Sequence, residues 1–274
     1  MEKTELNYEE KTQTRLESIT RKWWFILLLV LIQFIPAYMS KGYDPSTNIG
    51  EMTYYILYHS LMFTVDFLFP VFKVIPILLV LSIIFFKNRA TRWFSVYAGI
   101  SYLLFAFLQN IAVTEEYGLA IFPNNIVMFL IVAAFWFWEA FVQRNDFTLH
   151  KHPAWNYLVV AFAFLAFWYP ANLTTLMPDF NPIYLLTNGA GLAFCMMTPL
   201  YLAILTIYYP RVNIATLRVT SIAGIIAAFY NILFSFFVVA SVYWWNGILH
   251  MPLAAISVYG LILSFRKLGS PTEE

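Results

Sequence analysis

Three ionisable residues, His59, Asp66 and Lys73, lie seven apart inside one long apolar stretch. On a helix advancing about 100° per residue, positions seven apart drift only about 20°, so the three predict a single polar stripe. An ionisable group costs roughly 2.5–3.5 kcal/mol at the centre of a membrane helix, and therefore faces protein or water and marks a path for a solute, an ion or a proton. Pro70 lacks an N–H and deprives the Asp66 carbonyl of its helical partner, which puts that carbonyl and the Asp66 carboxylate at one depth. Oxygen ligands of this kind suit a cation or a proton. Two structural roles compete with that chemistry: Asp66 and Lys73 neutralising each other two turns apart with Lys73 snorkelling, and His59 bonding a neighbouring helix.

Further polar groups gather toward the same side of the membrane. Asn188 starts the sixth apolar stretch, Asn231 lies well inside the seventh and His250 starts the eighth. With His59, Asp66 and Lys73 they form the candidate binding set for a substrate or ion. Gln109, Asn110, Asn124 and Asn172 sit at span ends, where capping explains them. Glu139 stands close to Arg144 at the inner end of the fourth stretch, and a surface ion pair accounts for it. His59 and His250 raise the possibility of an axially ligated haem, and Cys195-Met196-Met197 with His250-Met251 that of soft copper ligands. Adjacent residues on a helix diverge by about 100°, so packing is the simpler role for the sulfurs and no metal site is expected. The cofactor stays unassigned. The chain holds no G-x-G-x-x-G, Walker lysine, H-E-x-x-H or G-x-S-x-G, which disfavours most chemistry of the soluble type.

The elements that must position these groups are membrane helices. Over 274 residues the chain is 61% hydrophobic and 11% charged, about half the charge of a soluble domain, with mean hydropathy +0.69. A net charge of +1 offers no basic stripe for nucleic acid, and one cysteine excludes an internal disulfide. Apolar stretches run over 23–40, 54–86, 93–113, 119–142, 154–172, 183–208, 214–243 and 247–265. Fourteen of the sixteen Lys and Arg residues fall in the first 22 positions, at 87–92, at 144 and 151, at 211 and 218, or at 266 and 267. That alternation predicts eight spans with both termini cytoplasmic. The other loops are acidic to neutral: Tyr43-Asp44-Pro45, Glu115-Glu116-Tyr117-Gly118, Pro178 to Pro182 and Trp244 to Gly247.

An internal repeat is visible. Asn88-Arg89-Ala90-Thr91, Ser95 and Ala98-Gly99-Ile100 are answered 125 positions later by Asn213-Ile214-Ala215-Thr216, Thr220 and Ala223-Gly224-Ile225. Upstream, Tyr55, Leu57 and Pro70 match Tyr184, Leu186 and Pro199 at an offset of 129. The predicted fold is therefore an all-α polytopic bundle of two same-orientation four-helix repeats, 23–142 and 154–266. A cytoplasmic tail at 1–22, a linker at 143–153 and a tail at 267–274 complete it. In this alignment Cys195 falls opposite Asp66 and Asn188 opposite His59.

Three function classes fit. The first is a permease-like protein of the cell membrane that moves a small solute or ion, proton-coupled through Asp66. The second is a membrane enzyme or redox subunit holding a lipid, quinone, carotenoid or haem among the aromatic residues, which make up 20% of the chain. The third is a non-catalytic accessory subunit of a membrane complex. The expected partners are the lipid bilayer, a hydrophobic small molecule or ion, and either partner membrane subunits or a second copy. Only ten glycines in 274 residues weigh against a loosely packed carrier.

Overall fold

In the computed structural model the described residues are 2–42, 49–149, 154–172, 175–238 and 240–266. The Tyr43-Asp44-Pro45 loop, the His150-Lys151-His152 turn near the end of the linker, and the 267–274 tail lie outside them.

The polar helix α1 (Glu2–Thr20) leads into α2 (Trp23–Ile32), whose sequence is apolar on every side. Phe25 and Leu29, one turn apart, face the bundle while Leu28 and Leu31 are exposed, as on a helix whose outer face meets lipid. A short strand β1 (Tyr38–Met39) and α3 (Ile49–Tyr58) follow. A 3-10 segment, Leu61–Leu68, runs into α4 (Phe69–Phe86), and a 3-10 turn, Lys87–Ala90, precedes α5 (Thr91–Leu108). Strands β2 (Ile111–Thr114) and β3 (Gly118–Ile121) come next, then α6 (Pro123–Val142) and α7 (Leu158–Trp168). The rest is α8 (Tyr184–Thr187), a 3-10 turn Gly189–Leu192, α9 (Phe194–Ile207), α10 (Ile214–Leu233), a π-helical turn Phe234–Val238 and α11 (Ala240–Phe265).

Among the described residues, four stretches are long and apolar enough to cross a membrane: Leu61–Leu108, Pro123–Val142, Ile214–Val238 and Trp244–Phe265. A fifth candidate is a broken pair, Tyr184–Leu192 with Phe194–Ile207, bent by 95°. Leu78, Ile84, Phe85 and Phe86 are exposed along α4, an apolar surface that suits lipid better than water. At 48 residues, Leu61–Leu108 holds more chain than one crossing of a hydrocarbon core of about 30 Å needs, and it folds back on itself, with Leu104 and Leu108 near its end packed beside Met62 and Phe69 near its start. Lys87, at φ +49°, interrupts it in the middle. α2 and α7, with 10 and 11 residues, are shorter than a full span.

The fold is not purely helical. β3 lies between β1 and β2 in a small antiparallel sheet, and Glu115-Glu116-Tyr117 is the tip of a hairpin. Gly118 supplies φ +62° at that tip, and a Cβ there would run into Ser40 Oγ, which accepts from Leu119 N at 2.8 Å. The hairpin trims the expected spans. α5 stops at Leu108, where Asn110 Nδ2 donates to the Phe105 carbonyl at 2.8 Å, and α6 starts at Pro123, a residue preset for the first helical turn.

The core joins the two halves of the chain. Phe94, Ala98, Tyr102 and Phe105 recur at helical spacing on α5 and face α6 and α9. Phe94 meets Trp136 edge to face at 5.6 Å and Tyr201 at 5.9 Å, and Phe129 stacks on Phe194 at 4.1 Å. Each such pair contributes about 0.5–1.5 kcal/mol beyond area burial. Hydroxyls register the halves: Tyr201 OH donates to Ser101 Oγ at 2.9 Å, Tyr102 OH and Thr198 Oγ1 pair at 3.0 Å, and Trp136 Nε1 donates to Thr220 Oγ1 at 3.2 Å. On the far side α10 and α11 pack closely, with Gly224 against Ser257 and Gly260 against Ser221.

Candidate functional site at the end of α7

α7 ends because Tyr169 turns into the left-handed region at φ +50° and Pro170 cannot continue a helix. The last carbonyls of a helix have no partner within it and carry the negative end of its dipole. Here they are bonded one after another. Lys73 Nζ donates to the Phe167 carbonyl and lies 4.3 Å from the centre of the Phe167 ring. Asn188 Nδ2 donates to the carbonyls of Trp168 at 2.9 Å and Tyr169 at 3.2 Å. Trp245 Nε1 donates to the Pro170 carbonyl at 2.8 Å. Two candidate residues from distant parts of the sequence, Lys73 and Asn188, thus meet on three consecutive carbonyls.

Asn188 belongs to the break in the fifth candidate span. Its Oδ1 accepts from Ala190 N at 3.1 Å and caps the turn Gly189–Leu192, after which α9 leaves at a sharp angle. α4 packs on this turn closely enough that a Cβ at Gly191 would fall 2.5 Å from the Phe72 carbonyl oxygen. The neighbour of Phe72 is Lys73. An ammonium has three N–H donors, and Phe167 takes one. Lys73 is fully buried, and among the described residues no carboxylate pairs with it and no second acceptor reaches it. A cation held this way in an apolar bundle attracts an anionic group.

The other four candidates are dispersed. The stripe His59, Asp66, Lys73 does not form, because the helix breaks at His59 and Ser60 and kinks again at Val65, with φ −117° and ψ 27°. His59 is exposed at the end of α3, stacked on Tyr55 at 4.2 Å with its Nδ1 donating to the Tyr55 carbonyl at 2.7 Å. Asp66 is exposed, and its carbonyl accepts from the Phe69 N–H, so Pro70 does not orphan it. Asn231 is half-buried, donating to the Ala227 carbonyl at 2.9 Å and toward Cys195 Sγ at 3.6 Å. His250 is buried, with Nδ1 donating to the Asn246 carbonyl at 2.7 Å. The Asn246 side chain accepts from Tyr169 OH at 3.0 Å, which ties α11 to the same α7 end. α3 packs on β2 and α11 packs on α10, α9 and α7, so the two histidines occupy different parts of the molecule. Among the described residues no three His, Cys, Asp or Glu side chains cluster to hold a metal.

A second polar centre was hidden in the sequence. Glu139, expected in a surface ion pair with Arg144, is fully buried. Its two oxygens accept from Asn145 N and Asn213 Nδ2, both at 2.8 Å. Gln13 of α1 donates to Asn213 Oδ1 at 3.0 Å, and Trp138 Nε1 donates to Gln13 Oε1 at 2.8 Å. Arg218 is buried as well, with Nη1 on the Glu17 carbonyl at 3.0 Å and on Thr20 Oγ1 at 2.8 Å, and Nη2 on the Ser264 carbonyl at 2.5 Å. Polarity at a helix end gave no hint of this burial, because the partners come from far along the chain, Asn213 lying 74 residues from Glu139 and Glu17 lying 201 from Arg218.

Compared with known proteins, the chain matches no family model, no curated protein and no solved structure.

Proposed function

We propose that this protein is a permease-like membrane protein that moves a small anion or anion-bearing solute, with Lys73 as the charge that meets it. The observation that carries this reading is the buried Lys73 ammonium, unpaired with any described carboxylate, beside the 95° break in a membrane span. Broken spans at membrane depth expose backbone groups where a solute binds, and a solitary ionisable side chain there serves that solute. Asn188, on the turn itself, is the second binding residue. Asp66 is exposed and stands outside this arrangement, so coupling through it is no part of the proposal.

The proposal includes eight spans in two same-orientation repeats with both termini cytoplasmic. Supporting the repeat, each half opens with a short apolar helix, α2 or α7, followed by irregular chain. Each half then has a 3-10 segment ahead of its next long helix, Leu61–Leu68 before α4 and Gly189–Leu192 before α9. Each ends in a tightly packed hairpin, α5 with α6 and α10 with α11.

The test is anion entry into vesicles. Purified protein in phosphatidylcholine liposomes is challenged with chloride, nitrate, acetate and phosphate salts, and flux is read by stopped-flow light scattering. At least one anion is expected to enter faster than into empty liposomes, and Lys73→Met to remove that excess. Flux of every anion at the empty-liposome rate sinks the reading.

A further inference from the structure

A cleft of about 710 Å³ opens between α1, the start of α10 and the end of α11. Arg21, Lys22, Arg218 and Arg266 line it, and among the described residues Glu17 is the one acid there, which leaves that lining three positive charges in excess. Ser18 and Thr14 add hydroxyls. A second cleft of about 520 Å³ shares Thr14, Ser18 and Lys22 and adds Lys11 and Arg15. Like charges gathered in a concave site repel one another and focus a field that draws anions. The Glu17 carboxylate is partly engaged elsewhere, since its Oε1 accepts from Gln13 Nε2 at 2.7 Å.

Arg218 makes this a built site. It is 3% exposed, its two terminal nitrogens are held by Glu17, Thr20 and Ser264, and its guanidinium lies 4.8 Å from the centre of the Phe265 ring. Its Nε–H, although buried, meets no acceptor among the described residues. Arg218 thus adds a fixed positive charge to the lining, and an anionic oxygen pairs best with charged donors such as those of Arg21, Lys22 and Arg266. Cationic clefts beside membrane helices recognise phospholipid head groups in this way.

We propose that the cleft binds a phosphate group, using Arg21, Lys22 and Arg266 as exposed cations around the buried Arg218. The phosphate belongs either to an anionic phospholipid or to a soluble phosphate compound. This does not depend on Lys73 or on transport.

The experiment uses the full chain in detergent with two probes. Thermal unfolding is followed in dodecylmaltoside micelles doped with phosphatidylglycerol or, as control, phosphatidylcholine; equilibrium dialysis measures radiolabelled orthophosphate. Phosphatidylglycerol at about ten times half-saturation is expected to raise Tm by roughly 3–6 °C over the control. In the triple variant Arg21→Gln/Lys22→Gln/Arg266→Gln that rise is expected to vanish, while Tm in phosphatidylcholine stays at the wild-type value because Arg218 keeps its contacts. That result assigns the phosphate to lipid. Saturable orthophosphate binding lost in the same variant assigns it to a soluble compound. A response to either probe that persists in the variant, or no response to both, overturns the proposal. Should the triple variant not fold, Arg266→Gln alone is read the same way.

Discussion

Glu139 is a carboxylate enclosed by donors: Asn145 N–H on one oxygen and Asn213 Nδ2 on the other, both at 2.8 Å. Glu139→Gln keeps the shape but turns an amide N–H₂ toward a donor, leaving a buried N–H unbonded at a cost of about 1–3 kcal/mol. Tryptophan fluorescence during heating is expected to show a Tm several degrees below wild type; an unchanged Tm would mean that the network reorganises freely. Lys73 is the opposite case. Replacing a buried charge with an apolar chain of similar volume is often neutral or stabilising, so Lys73→Met is expected to unfold at or above the wild-type Tm even as flux is lost. A Tm several degrees lower would make its bond to Phe167 structural first. Beyond the end of the candidate span Pro123–Val142, Asp146 is held below its ordinary value of 3.8, first by the Thr148 hydroxyl at 2.7 Å, then by Asn88, the Thr148 N–H and Arg211. A depressed carboxylate pKa contributes stability that is present above the unfolded value and lost as pH falls through the folded one. The Tm advantage of wild type over Asp146→Asn is therefore expected to be full at neutral pH and to fade below about pH 4. Equal fading at neutral pH would contradict that assignment.

At the scale of elements, the 143–149 loop is clamped from both halves. Asn88 accepts from Phe147 N at 2.7 Å, and Asn213 N donates to Asn145 Oδ1 at 2.8 Å. These are the two asparagines that open the repeated motif. The sequence pattern identified them as a pair, yet only Asn213 caps its helix, accepting from Thr216 N at 3.2 Å; α5 has no side-chain cap. Asn213→Ala removes a cap worth about 1 kcal/mol and leaves a Glu139 oxygen without its donor. It is expected to cost about 2–3 kcal/mol, against less than about 1 for Asn88→Ala at its exposed site; equal losses in thermal unfolding would contradict this. The turn Gly189–Leu192 was legible only in part. Asn188 stood out as a polar residue at the start of a span, but the 95° bend also involves α4, whose Phe72 backbone lies against Gly191. No local pattern encodes a contact between residues 119 positions apart.

Across the whole molecule, the apolar stretches that became Leu61–Leu108, Pro123–Val142, Ile214–Val238 and Trp244–Phe265 were readable because lipid imposes length and polarity on each stretch separately. The sheet was not, since β1, β2 and β3 are four residues or fewer and their pairing brings Tyr38 to Ile121. Nor was the polar stripe, because two breaks between His59 and Asp66 reset the helical phase. The orientation is tested with single cysteines in a Cys195→Ser chain, where the native thiol is already buried. Cysteine at Glu116 or Asp179 is expected to react with an impermeant maleimide in intact cells, and cysteine at Arg89 or Arg211 only after permeabilisation. The reverse pattern would invert the topology. Most direct of all is anion flux through Lys73→Met beside wild type in matched liposomes, both proteins shown folded by their unfolding transitions. A charge-assisted contact is worth roughly 1.5–3 kcal/mol, so flux through Lys73→Met is expected to fall about 10- to 100-fold; equal flux in the two would remove Lys73 from the anion path.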